Sequence, residues 1–591
     1  MAVLYLVVCW LVLDPVHVVF HMLDVPIWAN RLVVMLMAVG FPAVVIFAWV
    51  YEITPEGLKP TVEVPHHKSI RKLTGRRLDR AIIAVLAVAL TYFVVDKFWI
   101  SRHVTPPKAV TSATPETAVR TTAAPAPAAN FAPPPHSIAV LPFVNLSGDS
   151  NQQYFSDGLT EELLNSLSRI KELQVAARTS SFSFQGDHPD IATVAHKLNV
   201  GAVLEGSVRR SAHTVRINAQ LVNGVTGFHL WSQTYDRNLG DVLKLQTEIA
   251  SAVAHALEVT LLGDVSAKIE LGGTRNPAAY DAYLRSASAY WQEDSASDNE
   301  SVRAGYQEAV RLDPNFALAY AEWSIALAAY AQFFAHGPAV GDFYRQARAP
   351  ALKAVALAPE LAEGHLALAL VQQQSLDFAR ASEEFQRAMT LAPGNARVLR
   401  DYSGFAVSMG RTDAGIAAAR RAVALDPLNE NSHSYLSGAL LFARRYDEAL
   451  AAYQDARSLR PKDPTWLAGG GEWIYYALGD FDKMRTLCEG VGEAVKDFQG
   501  CLALAYHKLG RQSDAETALA RFKKSEDDAG AYVYASIYAQ WGDMPKALEW
   551  LETALRLRRS ELLSLKTDPF LDPLRQEPLF QAIERELKFP E

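Results

Sequence analysis

Three apolar runs, set apart by polar residues, open the chain. Residues 31–51, RLVVMLMAVGFPAVVIFAWVY, and 81–100, AIIAVLAVALTYFVVDKFWI, are nearly free of charge. Each has about the 20-residue length that a helix needs to cross a bilayer. Both are predicted to be transmembrane helices, with Trp49, Tyr51 and Trp99 at the headgroup boundary. The first run, about residues 2–22, is interrupted by Asp14 and Pro15, and it either crosses the membrane or lies along it. It lacks the basic start and small-residue site of a cleaved signal peptide, so no cleavage is expected. Beyond residue 136 the pattern changes. SIAVLPF, Ser137 to Phe143, alternates and ends at a proline, which predicts a strand. SDGLTEELLNSLSRI then repeats leucines at helical spacing, with Asp157 as the expected cap and Glu161 and Glu162 in the first turn. ELQVAAR reads as a second strand and PDIATVAHKLNV as a short helix. The stretch 201–237 divides at its turns into three strands of a meander, and an amphipathic helix runs from about Gly240 to Leu262.

From about residue 275 the pattern is helical to the end, and it is periodic. Pro359, Pro393, Pro427 and Pro461 recur at intervals of 34 residues. Small residues stand at fixed positions before each proline: Ala354 and Ala347, Ala388 and Ala381, Ala422 and Gly415, Ala456 and Ala449. Small side chains at a fixed phase let paired helices approach closely, and the proline ends the second of each pair. ASEEFQRAMTLAPGN and DEALAAYQDARSLRPKD accordingly resemble the second helix of the tetratricopeptide repeat. That resemblance implies a solenoid over 275–591 of about eight helix pairs, with a concave surface for protein or peptide partners. The first repeat is expected near Asn276. From Pro314 to Pro359 the interval is 45 residues, and the surplus is assigned to a loop in AAYAQFFAHGPAVGDF. Pro350 is expected to kink or shorten the second helix of that repeat. Tyr402, Tyr453 and Trp473 read as core by spacing, and the tail LKTDPFLDPLRQEPLFQAIERELKFP as a cap for the last repeat.

Charge gives the chain a direction. The net charge of -8 argues against a general nucleic-acid binder. The loop 52–80 nevertheless carries Lys59, Lys68, Arg71, Lys72, Arg76, Arg77 and Arg80. By the positive-inside rule this loop is cytoplasmic, which puts everything after Ile100 outside the cytoplasm. Residues 101–136 are rich in Pro, Ala and Thr without a hydrophobic period and read as an extended tether.

The residues of 137–262 resemble a known module. SIAVLPFVNLSGDSNQQYFSDGLTEELLNSLSRIKELQVAARTSSFSFQG, LNVGAVLEGSVRRSAHTVRINAQLVN and HLWSQTYDR are similar to the TolB-like (FlgO-like) domain of Gram-negative envelope proteins. In that family the module stands beside tetratricopeptide repeats and downstream of a membrane segment, as in CadC-like regulators and some membrane-bound cyclases. Those relatives carry an N-terminal cytoplasmic output domain, which is not expected in this chain.

Candidate chemistry is sparse. G-x-S-x-G, P-loop, H-E-x-x-H and C-x-x-C patterns are all missing from the sequence. His17 and His21 share a helix face but have no further ligand beside them, so no metal or cofactor is expected. Arg178 to Ser181, RTSS, either binds an anion or forms a polar turn, and Arg209 and Arg210 read as solvated residues at a hairpin. Cys488 and Cys501 fall at the end of one predicted helix and the start of the next; they are either bonded to each other or a free buried pair. The fold class expected is a membrane-anchored multidomain chain: transmembrane helices, an α/β TolB-like domain and an all-α repeat solenoid. Its expected role is a non-enzymatic scaffold on the periplasmic side of a bacterial inner membrane. The alternatives are a signalling component that passes periplasmic binding to a separate cytoplasmic partner, and an envelope hydrolase, for which no catalytic constellation is present.

Overall fold

The computed structural model describes residues 51–54, 57–60 and 131–590, apart from 187–189, 212, 239–240, 260–270, 293–297, 334–337, 461–469 and 491–497. Two compact units divide the chain, Met1–Ala124 and Pro125–Glu591.

In the first unit, β1 (Tyr51–Thr54) pairs antiparallel with β2 (Gly57–Pro60). Tyr51, the last residue of the second predicted span, is the first residue of β1. The rest of the three apolar runs, the basic residues of 68–80, His17 and His21 lie outside the described residues. Among the described residues, no helix is long and apolar enough to cross a membrane.

The second unit begins with a mixed sheet in the order β5-β3-β6-β7-β8. Its strands are β3 (Ser137–Val140), β5 (Gln174–Val175), β6 (Ala202–Arg210), β7 (Thr214–Asn223) and β8 (His229–Asn238), and the short β4 (Val144–Asn145) also pairs with β6. The β3 pairings are parallel, whereas β6, β7 and β8 form the antiparallel meander. Helices α1 (Gln153–Ser168) and α4 (Val242–Ala256) pack on one face through Leu159, Leu163, Leu245 and Ile249. Helix α3 (Ile191–Leu198) packs on the other, over Ala139 and Val203. Phe131, within the predicted tether, lies against His196 of α3 with ring centroids 5.2 Å apart.

The start of α1 corrects an expectation. Asp157 lies inside the helix and is buried, accepting hydrogen bonds from Gln153 and Gln185. The N-terminal cap is Asp149, which accepts from Asn151 N at the head of a 3-10 turn, Ser150–Gln152, that runs directly into α1. Glu161 and Glu162 are therefore mid-helix, and their roles come from tertiary partners, not from the helix dipole.

Eight antiparallel helix pairs follow among the described residues. They are α5 (Pro277–Gln292) with α6 (Asp298–Leu312), α7 (Ala317–Phe333) with α8 (Pro338–Leu357), α9 (Ala362–Gln374) with α10 (Phe378–Leu391), and α11 (Ala396–Ser408) with α12 (Thr412–Leu425). Then come α13 (Glu430–Phe442) with α14 (Tyr446–Leu459), α15 (Gly471–Ala477) with α16 (Phe481–Gly490), α17 (Phe498–Lys508) with α18 (Gln512–Glu526), and α19 (Ala531–Trp541) with α20 (Met544–Arg556). Asn276 caps α5 through Ala278 N. Each of Pro359, Pro393 and Pro427 stands two residues past the end of a second helix, and the small residues before them are buried against the partner helix.

The longer repeat departs from expectation. Its surplus is not a loop: compared with α9 and α10, α7 is four residues longer and α8 six, leaving one for the connection. Pro350 sits inside α8 without ending it, and α8 runs for 20 residues. Packing on both sides of Pro350, through Ala347, Ala351 and Ala354, offsets the hydrogen bond that proline removes. Beyond α20 the tail forms two 3-10 turns, Ser560–Ser564 and Pro569–Leu574, and helix α21 (Pro578–Leu587), which buries Phe580, Ile583 and Leu587. Cys488 of α16 and Cys501 of α17 are joined in a disulfide, with Cα atoms 6.4 Å apart.

Candidate functional site

The first helices of successive pairs line the inner, concave face of the array. Ala328 and Ala329 of α7, Gln373 and Gln374 of α9, Arg400 and Gly404 of α11, and Tyr435 and Gly438 of α13 surround a basin of about 980 Å³. Small residues on these faces hold it open: a Cβ built on Gly438 would meet no atom within 4 Å. One wall is α2 (Arg178–Phe182), contributed by the α/β module, and another is Leu563 and Ser564 of the tail. The basin is therefore a joint product of module, repeats and tail, which sequence reading of the repeats alone did not reveal.

Cations around the basin are neutralised at their bases. Arg397 pairs with Glu322 at 3.1 Å, Arg400 with Asp401 at 3.2 Å, and Arg460 with Glu430 at 3.0 Å. Burial pushes the Glu322 carboxyl up and the Arg397 guanidinium pulls it back. Arg400 also lies over the Tyr435 ring, 5.5 Å from its centroid. Besides these paired charges the basin is lined by amide, hydroxyl, aromatic and aliphatic groups, Ile325, Leu370 and Leu563 among the last, suited to hydrogen-bonding peptide groups and receiving apolar side chains. Gln373 Oε1 is buried there without a hydrogen-bond partner.

Below the basin lies the seam between module and repeats, with a cavity of about 80 Å³. The RTSS residues are here, in a short helix and not the predicted polar turn. They form α2, a helix that docks on the turn after α12: Asp426 Oδ1 accepts from Ser180 N at 3.0 Å and Ser180 Oγ at 2.7 Å, and Leu428 N donates back to Ser180 Oγ at 2.9 Å. Ala177 N donates to Leu425 O at 2.7 Å. Arg178 pairs with Glu161 at 2.9 Å within the seam. Burial raises the Asp426 carboxyl above its ordinary range, while the Ser180 and Asn429 bonds hold it down. Glu162, on the other side of α1 from Glu161, accepts from Tyr283 Oη of α5 at 2.8 Å, and burial pushes it up to about 7. Arg210 is also not a solvated hairpin residue. It pairs with Asp281 of α5 at 2.8 Å and lies over Phe155, while Arg209 is exposed.

Of the aromatic residues assigned to the core, Tyr453 is buried and Tyr402 and Trp473 are partly buried. Among the described residues, no group of three His, Cys, Asp or Glu side chains is placed to hold a metal ion.

The described residues thus form a mostly helical, tetratricopeptide-repeat-like solenoid with a small sheet region. The Tetratricopeptide repeat family model matches residues 530–561, the pair α19–α20. The Bacterial transcriptional activator domain model matches 342–462, from α8 through α14. The chain is 41% identical over 255 residues to a Rhizobium meliloti protein described as "Putative adenylate cyclase 3", covering 42% of this chain and 43% of that one. It is 42% identical over 60 residues to the type IV pilus assembly protein PilF of Pseudomonas aeruginosa, covering 10% of this chain and 24% of that one. The chain thus spans less than half the length of these curated relatives. The solved structure of Pseudomonas aeruginosa PilF matches 35% of this chain and 91% of its own, with 20% identity and a TM-score of 0.28.

Proposed function

We propose that this protein is a non-enzymatic, membrane-anchored scaffold whose concave basin receives a segment of a partner polypeptide on the periplasmic side of a bacterial inner membrane. The observation that carries this reading is the basin: a cavity of about 980 Å³ bounded by four first helices, with amide and tyrosine groups facing it and its charges already paired. The α/β module, with its resemblance to TolB-like domains, acts as a wall that fixes the curvature of the repeats. The Cys488–Cys501 disulfide supports an oxidising compartment for the solenoid, in line with the direction given by the basic loop.

The basin is tested with a photo-crosslinking residue at Ser434 in the full chain, expressed in its native host. The expected result is a discrete adduct with another polypeptide that Gly438→Trp, which projects an indole into the basin, abolishes. Absence of an adduct, or one indifferent to Gly438→Trp, rejects the basin as the binding site. A reporter fused after Arg120 tests the side of the membrane, and a cytoplasmic signal there overturns the periplasmic placement.

A second reading, transmission of binding to a separate cytoplasmic partner, is favoured by the likeness over 255 residues to a protein described as a cyclase. In that case, neutralising Lys68, Arg71, Lys72, Arg76, Arg77 and Arg80 reproduces the phenotype of deleting the repeats. A scaffold acting only in the periplasm loses nothing by the same change.

A further inference from the structure

Strand β8 ends the sheet. Its inner edge pairs with β7 from Val222–His229 to Thr214–Asn238, and among the described residues no strand pairs with its outer edge. An unpaired edge of ten residues offers a row of backbone donors and acceptors, and proteins usually block such edges with proline, lysine, a bulge or brevity. HLWSQTYDRN contains neither proline nor lysine, its two charges, Asp236 and Arg237, are paired within the protomer with Arg216 and Glu248, and its one register shift falls at the turn end, by Leu221 and Val222. Large apolar side chains gather at that same end. Phe228 is 75% exposed, Val225 53% and Leu230 43%, at the β7–β8 turn and the start of β8.

The strand's side chains fit a second copy of themselves. Trp231, Gln233, Tyr235 and Arg237 lie on the face toward α4, where Tyr235 is buried and Arg237 reaches Glu248 at 2.8 Å. Ser232, Thr234 and Asp236 lie on the opposite, exposed face. A two-fold axis normal to the sheet keeps like faces together, because side chains alternate with a period of two. Centred on Thr234, such a pairing sets Thr234 against Thr234 of the second copy, Ser232 against Asp236, and Trp231 against Arg237. Within its own sheet Thr234 Oγ1 donates to Asn218 Oδ1 at 2.8 Å and Asp236 accepts from Arg216 at 2.7 and 3.0 Å, so the facing pairs are two neutral threonines in contact, a serine hydroxyl beside a carboxylate that keeps further lone pairs, and a cation over an indole, and no like charges are opposed. Moving the centre one residue back, to Gln233, puts Leu230 against Asp236 and His229 against Arg237, so the Thr234 register is preferred.

We propose that β8 is a homodimer interface, in which two copies of this chain pair their β8 strands antiparallel about Thr234 and join their sheets into one. The apolar tip then extends past the end of the partner strand, toward the start of α4 of the second copy, which covers it.

The full chain is examined by sedimentation velocity, in detergent if it extracts with the membrane. Wild type is expected to sediment as a dimer. Thr234→Lys and Thr234→Asp, each placing like charges across the axis, are each expected to raise the dimer dissociation constant by at least about tenfold, and an equimolar mixture of the two to restore the dimer. Thr234 is exposed, and unchanged circular dichroism melts confirm that both variants fold. A monomeric wild type at about 100 μM, a dimer indifferent to both variants, or a mixture that stays monomeric overturns the proposal.

Discussion

At the scale of single residues, two glycines on facing helices have opposite reasons for being glycine. A Cβ on Gly415 of α12 would stand 2.4 Å from Val407 Cγ2 and 2.9 Å from Ser403 O, both on α11. Close approach of the two helices therefore depends on hydrogen at that position. Gly415→Ala is expected to lower stability by about 1–3 kcal/mol through overpacking, read as a lower urea midpoint at unchanged slope. Gly438 of α13 meets nothing, so Gly438→Ala is expected to raise stability by about 0.5–1 kcal/mol through helix propensity and a less flexible unfolded chain. If both alanines destabilise equally, the space at Gly415 is not what selects glycine. Residues also repeat their roles along the array: His365 Nε2 lies 2.8 Å from Pro359 O, and His433 Nε2 lies 2.9 Å from Pro427 O, two repeats apart. In each case a ring nitrogen meets the carbonyl of the proline that ends the preceding pair.

At the scale of elements, the helix pairs were legible because the same spacing recurs. The periodic prolines and small residues write the contact between paired helices directly into the chain, and the meander was legible from alternation broken at turns. What was not legible depends on partners distant in sequence. RTSS is polar because it meets Asp426, and Arg210 is half-buried because it meets Asp281; neither separation leaves a periodic signature. The start of α1 was missed for a local reason: Asp149 caps a 3-10 turn, and the helix begins before the leucine pattern does. The surplus of the long repeat was misplaced because a loop and two longer helices have the same length in sequence. The docking of α1 on α5 carries its own pH signature. Glu162 has its pKa raised from 4.5 to about 7 by burial, so the folded chain holds a proton there that the unfolded chain has released. Its contribution is fully present below about pH 4.5 and is lost as pH rises through about 7, an effect of about 3 kcal/mol. Glu472, pushed up to about 8 by burial, adds in the same direction. Glu162→Gln keeps an acceptor for Tyr283 without the titration. Relative to wild type, it is expected to gain about 3 kcal/mol in urea-unfolding free energy between pH 4.5 and pH 7.5. A difference independent of pH would mean that Glu162 titrates like an exposed carboxylate.

At the scale of the whole Pro125–Glu591 unit, the array closes on itself. The 3-10 turn at Ser560–Ser564 packs against α9 and α11 on the concave side. Phe589 stacks on Phe378 at the start of α10 with centroids 4.9 Å apart, and Arg558 donates to Ser375 O at 2.8 Å. Arg444, between α13 and α14, forms a bidentate pair with Asp572 at 2.6 and 2.9 Å. Two kinds of contact thus hold the tail, and their magnitudes separate them. The Arg444–Asp572 pair is about 40% exposed on each side, and exposed pairs contribute about 0–1 kcal/mol. Leu562, Leu565, Leu571 and Leu574 are fully buried, and truncating such a side chain costs about 2–5 kcal/mol. The tail is therefore a permanent wall of the basin and not a displaceable plug. Leu565→Ala is expected to lower stability by about 2–5 kcal/mol and to weaken crosslinking from Ser434, because Leu563 and Ser564 line the basin one and two residues away. Arg444→Ala is expected to change stability by less than about 1 kcal/mol and to leave crosslinking intact. The opposite ranking would make the closure electrostatic, reversible and sensitive to salt, and the basin would then open and shut with ionic strength.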